Sequence, residues 1–141
     1  MAQPVSPEIL ARFKEGFECW NRDEIEEMAS MYAEDAVFDL SAVFADTAPV
    51  RGHEDMNRYW SELRETWAGI RQDPIEAFDL GSGQYAVDVR LSGKGSRSGI
   101  EVDQRFAMLY TFGEDGKVVS ARLFPDVAAA FSAASSAAQP A

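Results

Sequence analysis

Between Ile100 and Phe112 the side chains alternate without a break. Ile100, Val102, Gln104, Phe106, Met108, Tyr110 and Phe112 fall on one face; Glu101, Asp103, Arg105, Ala107, Leu109 and Thr111 fall on the other. A sustained period of two is a strand with one buried face, and it excludes a helix over this stretch. Gly113-Glu114-Asp115-Gly116 then reads as a turn, with glycines able to supply positive φ. Val118 to Phe124 returns as a second strand. Whatever this chain folds into must contain that long hairpin.

Upstream, Ser6-Pro7-Glu8 has the order of an N-cap, a first-turn proline and an acid favourable to the helix dipole. Ile9, Phe13, Gly16, Phe17 and Trp20 follow at helical spacing. Asn21-Arg22-Asp23 breaks that helix, and Asp23 with Glu26 has the spacing of a capping box for a short second one carrying Ile25, Met28, Met31 and Tyr32. Ala36 to Leu40 reads as a strand, residues 41–51 as a loop, and Met56, Tyr59, Trp60, Leu63 and Trp67 as a third helix. Residues 70–80 form a strand in which Pro74 marks an edge or a bulge. Gly81-Ser82-Gly83 turns into strand 84–92, and Gly93 to Gly99 is a basic, flexible loop. The order is α+β, with helices on one face of a curved, mostly antiparallel sheet. Residues 1–131 make one domain; the Ala/Ser-rich segment 132–141 has little to bury and is expected to be a disordered tail.

The charge narrows the partners. With 24 acidic and 13 basic residues the net charge is −11, which disfavours nucleic acid and anionic membranes. Cys19 is the single cysteine and His53 the single histidine, too few for a usual zinc site, and His53 is expected at the solvent surface. No metal or cofactor motif is present. No apolar run reaches 18 residues, the first residues lack a secretory pattern, and a cytoplasmic location is the expectation.

Three blocks carry a resemblance: WNRDEIEEMASMYAEDAVFDL, PVRGHEDMNRYWSEL and EVDQRFAMLYTFGEDGKVVSARLFPD. Together they resemble the SnoaL-like, ketosteroid isomerase-like branch of the nuclear transport factor 2-like superfamily, over about residues 6–131. The resemblance implies a cone: a curved antiparallel sheet wrapped around three helices, a deep apolar pocket, and homodimers. It also implies where working residues would stand. The isomerase base falls at Leu40, its oxyanion tyrosine at Gly16 and its protonated aspartate at Met108, so that set is not carried over. Tyr32 matches a tyrosine of the isomerase network, and Trp60 stands where another pocket tyrosine would be. The epoxide hydrolases' arginine-x-aspartate motif has no match, and Leu123 takes their other aspartate position.

The residues themselves point to a lined pocket. Phe17, Trp20, Tyr59, Trp60, Tyr85, Phe106 and Tyr110, with Leu40, Met108 and Leu123, suit a flat, mostly apolar ligand held by few polar groups. Gln104 is the polar residue on the inward face of the long strand, where a buried amide needs a partner or a ligand. Asp39 is the candidate base: alternation places it outward, and a local bulge would bring it inside. Asp126 reads as a helix N-cap. Asp88, Arg90, Glu101, Asp103, Arg105 and Arg122 read as a cross-strand charge ladder or dimer surface on the outer face, or, if that face lines a cleft, as an acid–base cluster. Two functions fit. One is a cofactor-free isomerase or cyclase with Asp39 as base and Tyr32 orienting, acting on a hydrophobic polyketide- or steroid-like metabolite; the other is a non-catalytic binding protein that has lost the acid.

Overall fold

The computed structural model describes residues 3–67, 69–94 and 99–138. Most of the expected loop 93–99 and the last three residues of the expected tail lie outside them. The chain order is β1 (Gln3–Pro4), α1 (Pro7–Asn21), α2 (Ile25–Ser30), β2 (Tyr32–Asp39), β3 (Val50–Arg51), α3 (Gly52–Trp67), β4 (Ile70–Gly81), β5 (Gln84–Lys94), β6 (Glu101–Phe112), β7 (Val118–Phe124) and α4 (Val127–Ala138).

The helix boundaries follow from local chemistry. Ser6 Oγ accepts the Ile9 N–H at 3.3 Å and Pro7 opens α1. At the other end Asp23 adopts φ 60°, which ends the helix. The Asp23–Glu26 capping box does not form. Glu24 takes the N-cap position of α2 without a side-chain bond, and the Asp23 carboxylate lies 3.4 Å from Arg64 instead. Asn21 docks α1 on the sheet by pairing like a strand residue: its amide donates to Gln72 O at 3.0 Å and accepts from Gln72 N at 2.8 Å.

Described residues form one seven-stranded sheet in the order β1-β4-β5-β6-β7-β2-β3. Neighbours are antiparallel except β2 and β7, which run parallel. Those two strands are far apart in sequence, so no hairpin sets their direction. β4 shifts register between Pro74 and Glu76, the bulge that a residue without an N–H imposes. β5 and β6 pair along their whole length, Gln84 opposite Thr111 through Lys94 opposite Glu101.

The sheet is covered on both faces. On the concave face Phe17, Trp20, Ala29, Met56 and Trp60 from α1–α3 pack with Val87, Val89, Met108 and Tyr110. On the convex face α4 lays Ala130 and Ala134 against Ala86, Ala107, Leu109 and Phe124, and Phe131 meets Phe78 edge-on at 5.2 Å. This corrects two expectations. The helices are not all on one face, and the segment from Ser132 to Ala138 is helical and not a disordered tail. Alanine is the strongest helix former, and small side chains facing small side chains let a helix approach closely and bury area without a large residue.

One pair of substitutions checks this second core. Ala130→Asp places a carboxylate in a dry contact and should cost about 3 kcal/mol or more. Ala128→Asp, exposed on the first turn of the same helix, should cost less than about 0.5 kcal/mol. Equal melting temperatures for the two variants would show that α4 does not pack on the sheet.

Candidate functional site

Because α1 crosses the concave face without filling it, a cavity of about 1060 Å³ remains between α1, the end of α2, α3 and the inward residues of β5, β6 and β7. Its walls come from the two periodicities of the sequence. Phe13, Gly16, Phe17 and Trp20 are one stripe of α1; Gln104, Phe106, Met108, Tyr110 and Phe112 are one face of β6. Aromatic rings dominate the part under α1. Phe13 stacks on Tyr110 at 5.7 Å, and Tyr85 and Phe112 meet edge-on at 5.6 Å.

Most residues singled out from sequence reach this cavity. Phe17, Trp20, Tyr32, Trp60, Met108 and Tyr110 are buried on its wall. Leu40 is also buried there, and Tyr59, Tyr85, Phe106 and Leu123 are half-buried. Two placements differ. Gln104 borders the cavity but is exposed, because the first half of β6 extends beyond the helices; it is a rim amide and not a buried one.

Asp39 is not on the cavity wall. The register shift in β2 lies between Tyr32 and Val37, upstream of Asp39, and leaves Ala36, Phe38 and Leu40 inward. The carboxylate turns to the backbone, accepting the Ser41 N–H at 2.9 Å. That bond, the Ser41 hydroxyl and, more weakly, nearby Arg122 hold its carboxyl below the ordinary range. A carboxylate so stabilised is a poor base. His53 is half-buried, its Nε2 2.7 Å from Tyr32 O, pinning the start of α3 to β2. Asp126 caps α4 through the Ala129 N–H at 2.8 Å.

Sequence reasoning missed part of the lining. Met28 and Met31 sit on the wall at the end of α2, and Leu63 and Leu91 join them from α3 and β5. Val43 and Phe44 are exposed large apolar residues in the loop after β2, at the cavity edge. An aperiodic loop gives no signal by which to find the last two.

The interior is uncharged. The charged residues on the wall are Arg12, Glu15, Arg105 and Lys117, and all four are exposed. Polar groups on the wall away from the exposed rim are phenols, the indoles of Trp20 and Trp60 and the half-buried Gln72 amide. Burial pushes the Tyr32 and Tyr110 hydroxyls far above the ordinary value; a hydrogen bond between the two adds to the effect on Tyr110 and opposes it on Tyr32. The Trp20 indole N–H is enclosed and meets no acceptor among the described residues. The Arg64 guanidinium covers its ring at 5.3 Å. Among the described residues no group of His, Cys, Asp and Glu is arranged to hold a metal ion, and no helix is long and apolar enough to cross a membrane.

The outer-face ladder is closed on itself. Arg90 forks onto Asp103 at 2.9 Å through both nitrogens. Arg105 forks onto Asp88, which is buried, with Nε–Oδ1 at 3.0 Å. The two arginines stand opposite each other across β5 and β6, so each must reach diagonally to find its acid.

This architecture coincides with a family model. Residues 13–121 match the SnoaL-like domain. The chain belongs to the SnoaL-like family. No curated protein matches it. Among solved structures it is similar to SalBIII, an epoxide hydrolase/cyclase-like enzyme of pyran ring formation in the polyether salinomycin, with TM-score 0.66 and 17% identity over 83% of this chain and 88% of that one. It is also similar to a hypothetical protein of ketosteroid isomerase-like fold from Catenulispora acidiphila, in complex with trimethylamine, with TM-score 0.70 and 13% identity over 87% of this chain and 88% of that one. At such identity the SnoaL-like scaffold is what these structures share with it.

The phenol pair gives a pH test of the SnoaL-like core. Unfolding returns Tyr32 and Tyr110 to the ordinary value of 10, so the unfolded chain loses these protons first. Stability is full below about pH 10 and falls as pH rises above it. The melting temperature of Tyr32→Phe should fall less steeply over that alkaline range than wild type. Parallel slopes would contradict a buried, neutral Tyr32.

Proposed function

We propose that this SnoaL-like protein binds a hydrophobic small molecule in the cavity under α1 and orients it with hydroxyl groups, without a carboxylate base. One observation carries the reading: a cavity of about 1060 Å³ lined by aromatic and aliphatic side chains, whose charged wall residues are all exposed. An apolar site with few convergent polar groups suits a flat, largely apolar ligand bearing an oxygen or two. The Tyr32–Tyr110 pair is such a polar group. The likeness to a cyclase-like enzyme of polyether formation supports a polyketide-like ligand over a sugar or a nucleotide.

The geometry favours binding over proton abstraction. General base catalysis needs a base within hydrogen-bond reach of an acidic C–H, and the carboxylate proposed for that role from sequence is engaged with Ser41 off the cavity wall. Neutral phenols held far above pH 7 donate hydrogen bonds and do not abstract protons.

Titration with a polycyclic aromatic ketone, followed by tryptophan emission and by thermal shift, tests the reading. Wild type should bind. Asp39→Asn should bind within about twofold of it, as a substitution outside the site does. Leu123→Trp, which adds a ring to the wall, should weaken binding by about tenfold or more. No response from wild type would mean that the cavity is not a binding site. A substrate whose turnover collapses in Asp39→Asn would restore the carboxylate mechanism.

A further inference from the structure

The cavity interior is neutral, but one of its ends is not. There the wall is made by Arg12 and Phe13 on the first turns of α1 and by Phe112, Gly116 and Lys117 around the β6–β7 turn. The Phe13 ring lies 6.1 Å from Phe112, and the Gly113 N–H donates to Lys117 O at 2.8 Å, which ties these residues together. Of the charged residues on the wall, two are already engaged. Glu15 lies 3.0 Å from Arg22, and Arg105 forks onto Asp88. Arg12 and Lys117 have no ion pair and no side-chain hydrogen bond among the described residues.

That is a net positive rim on a chain of net charge −11. Away from the wall Arg22, Arg58, Arg64, Arg71 and Arg90 find carboxylates, while Lys14, Arg51, Lys94 and Arg122 make no ion pair among the described residues but stand off the cavity. The acids nearest Lys117 in sequence, Glu114 and Asp115, are off the cavity wall, and Asp115 is turned to the Lys117 backbone N–H at 3.1 Å; of those nearest Arg12, Glu8 is off the wall and Glu15 is the one paired with Arg22. An anion at this mouth would meet two cations and stay in water, so no charge need be buried. Its apolar part would lie among Phe13, Tyr85, Tyr110 and Phe112.

We propose that the ligand of this cavity is an amphipathic acid: an apolar ring system carrying a carboxylate that Arg12 and Lys117 hold at the mouth. The inference rests on the cavity reading above and adds the charge of the ligand to it. Nothing in the overall field favours an anion; the local rim must overcome a repulsive net charge, which makes the expectation specific.

Three pyrene probes differing in one head group separate the possibilities: pyrenebutanoic acid, its methyl ester and pyrenebutylamine. Binding is read by quenching of tryptophan emission. The acid should bind about fivefold tighter than the ester, within the range that two exposed ion pairs supply, and the amine should be weakest. Added salt should narrow the acid–ester gap. The double variant Arg12→Gln, Lys117→Gln should lose the preference for the acid while keeping ester affinity within about twofold. Equal binding of acid and ester by wild type, preference for the amine, or an acid preference that survives the double variant would each overturn the proposal. If none of the three binds wild type, the cavity reading fails as well, a result distinct from binding without head-group discrimination.

Discussion

Strand β6 is dry on both faces over one half of its length and wet over the other. From Ala107 to Tyr110 every residue is buried; from Asp103 to Arg105 every residue is exposed. β5, its partner, does the same, buried from Ala86 to Val89. The dry halves lie between α1 on one side and α4 on the other, so both faces of the sheet leave water there. Burial of apolar area on two faces is what holds the layers, at roughly 25 cal/mol for each Å² removed from water. The wet halves project past the helices and carry the rim amide, the Arg90–Asp103 fork and Arg105, which reaches back to the buried Asp88.

The site follows from that division. Where the sheet curves away from α1 the concave face is not fully occupied, and the cavity is what remains. Its dry end can hold only neutral polar groups, because an ionised carboxylate there would need a partner that the wall does not provide. Phenols satisfy this condition by pairing with each other and staying protonated. Charge is kept at the exposed edges, where it is hydrated. The SnoaL-like scaffold supplies the container, and the side chains inside decide what the container does.

Much of this was legible in the sequence, and the remainder was hidden for physical reasons. The aromatic stripe of α1 and the alternation in β6 named Phe17, Trp20, Met108 and Tyr110 on the buried wall, since both are periodicities of buried faces. Alternation also assigned Asp39 outward, and the bulge that would have reversed it sits too far upstream to do so. Periodicity says which way a side chain points but not how far the covering layer extends, so Gln104 was assigned inward correctly and buried wrongly. Asp126 marked the start of the C-terminal helix, but its continuation past Phe131 escaped because small alanine side chains leave no hydrophobic signature distinct from low complexity. The parallel pairing of β2 with β7 depends on tertiary assembly alone.

The methionines offer the most direct test of the central claim, that the space under α1 is a ligand site and not a filled core. Met28, Met31 and Met108 line the cavity, whereas Met56 is fully buried away from it. In a methyl-labelled sample titrated with an apolar aromatic ligand, the first three methyl resonances should shift together with one saturation curve while Met56 stays in place. Methyl resonances that all remain unmoved at saturating ligand, or a Met56 shift as large as the others, would contradict it.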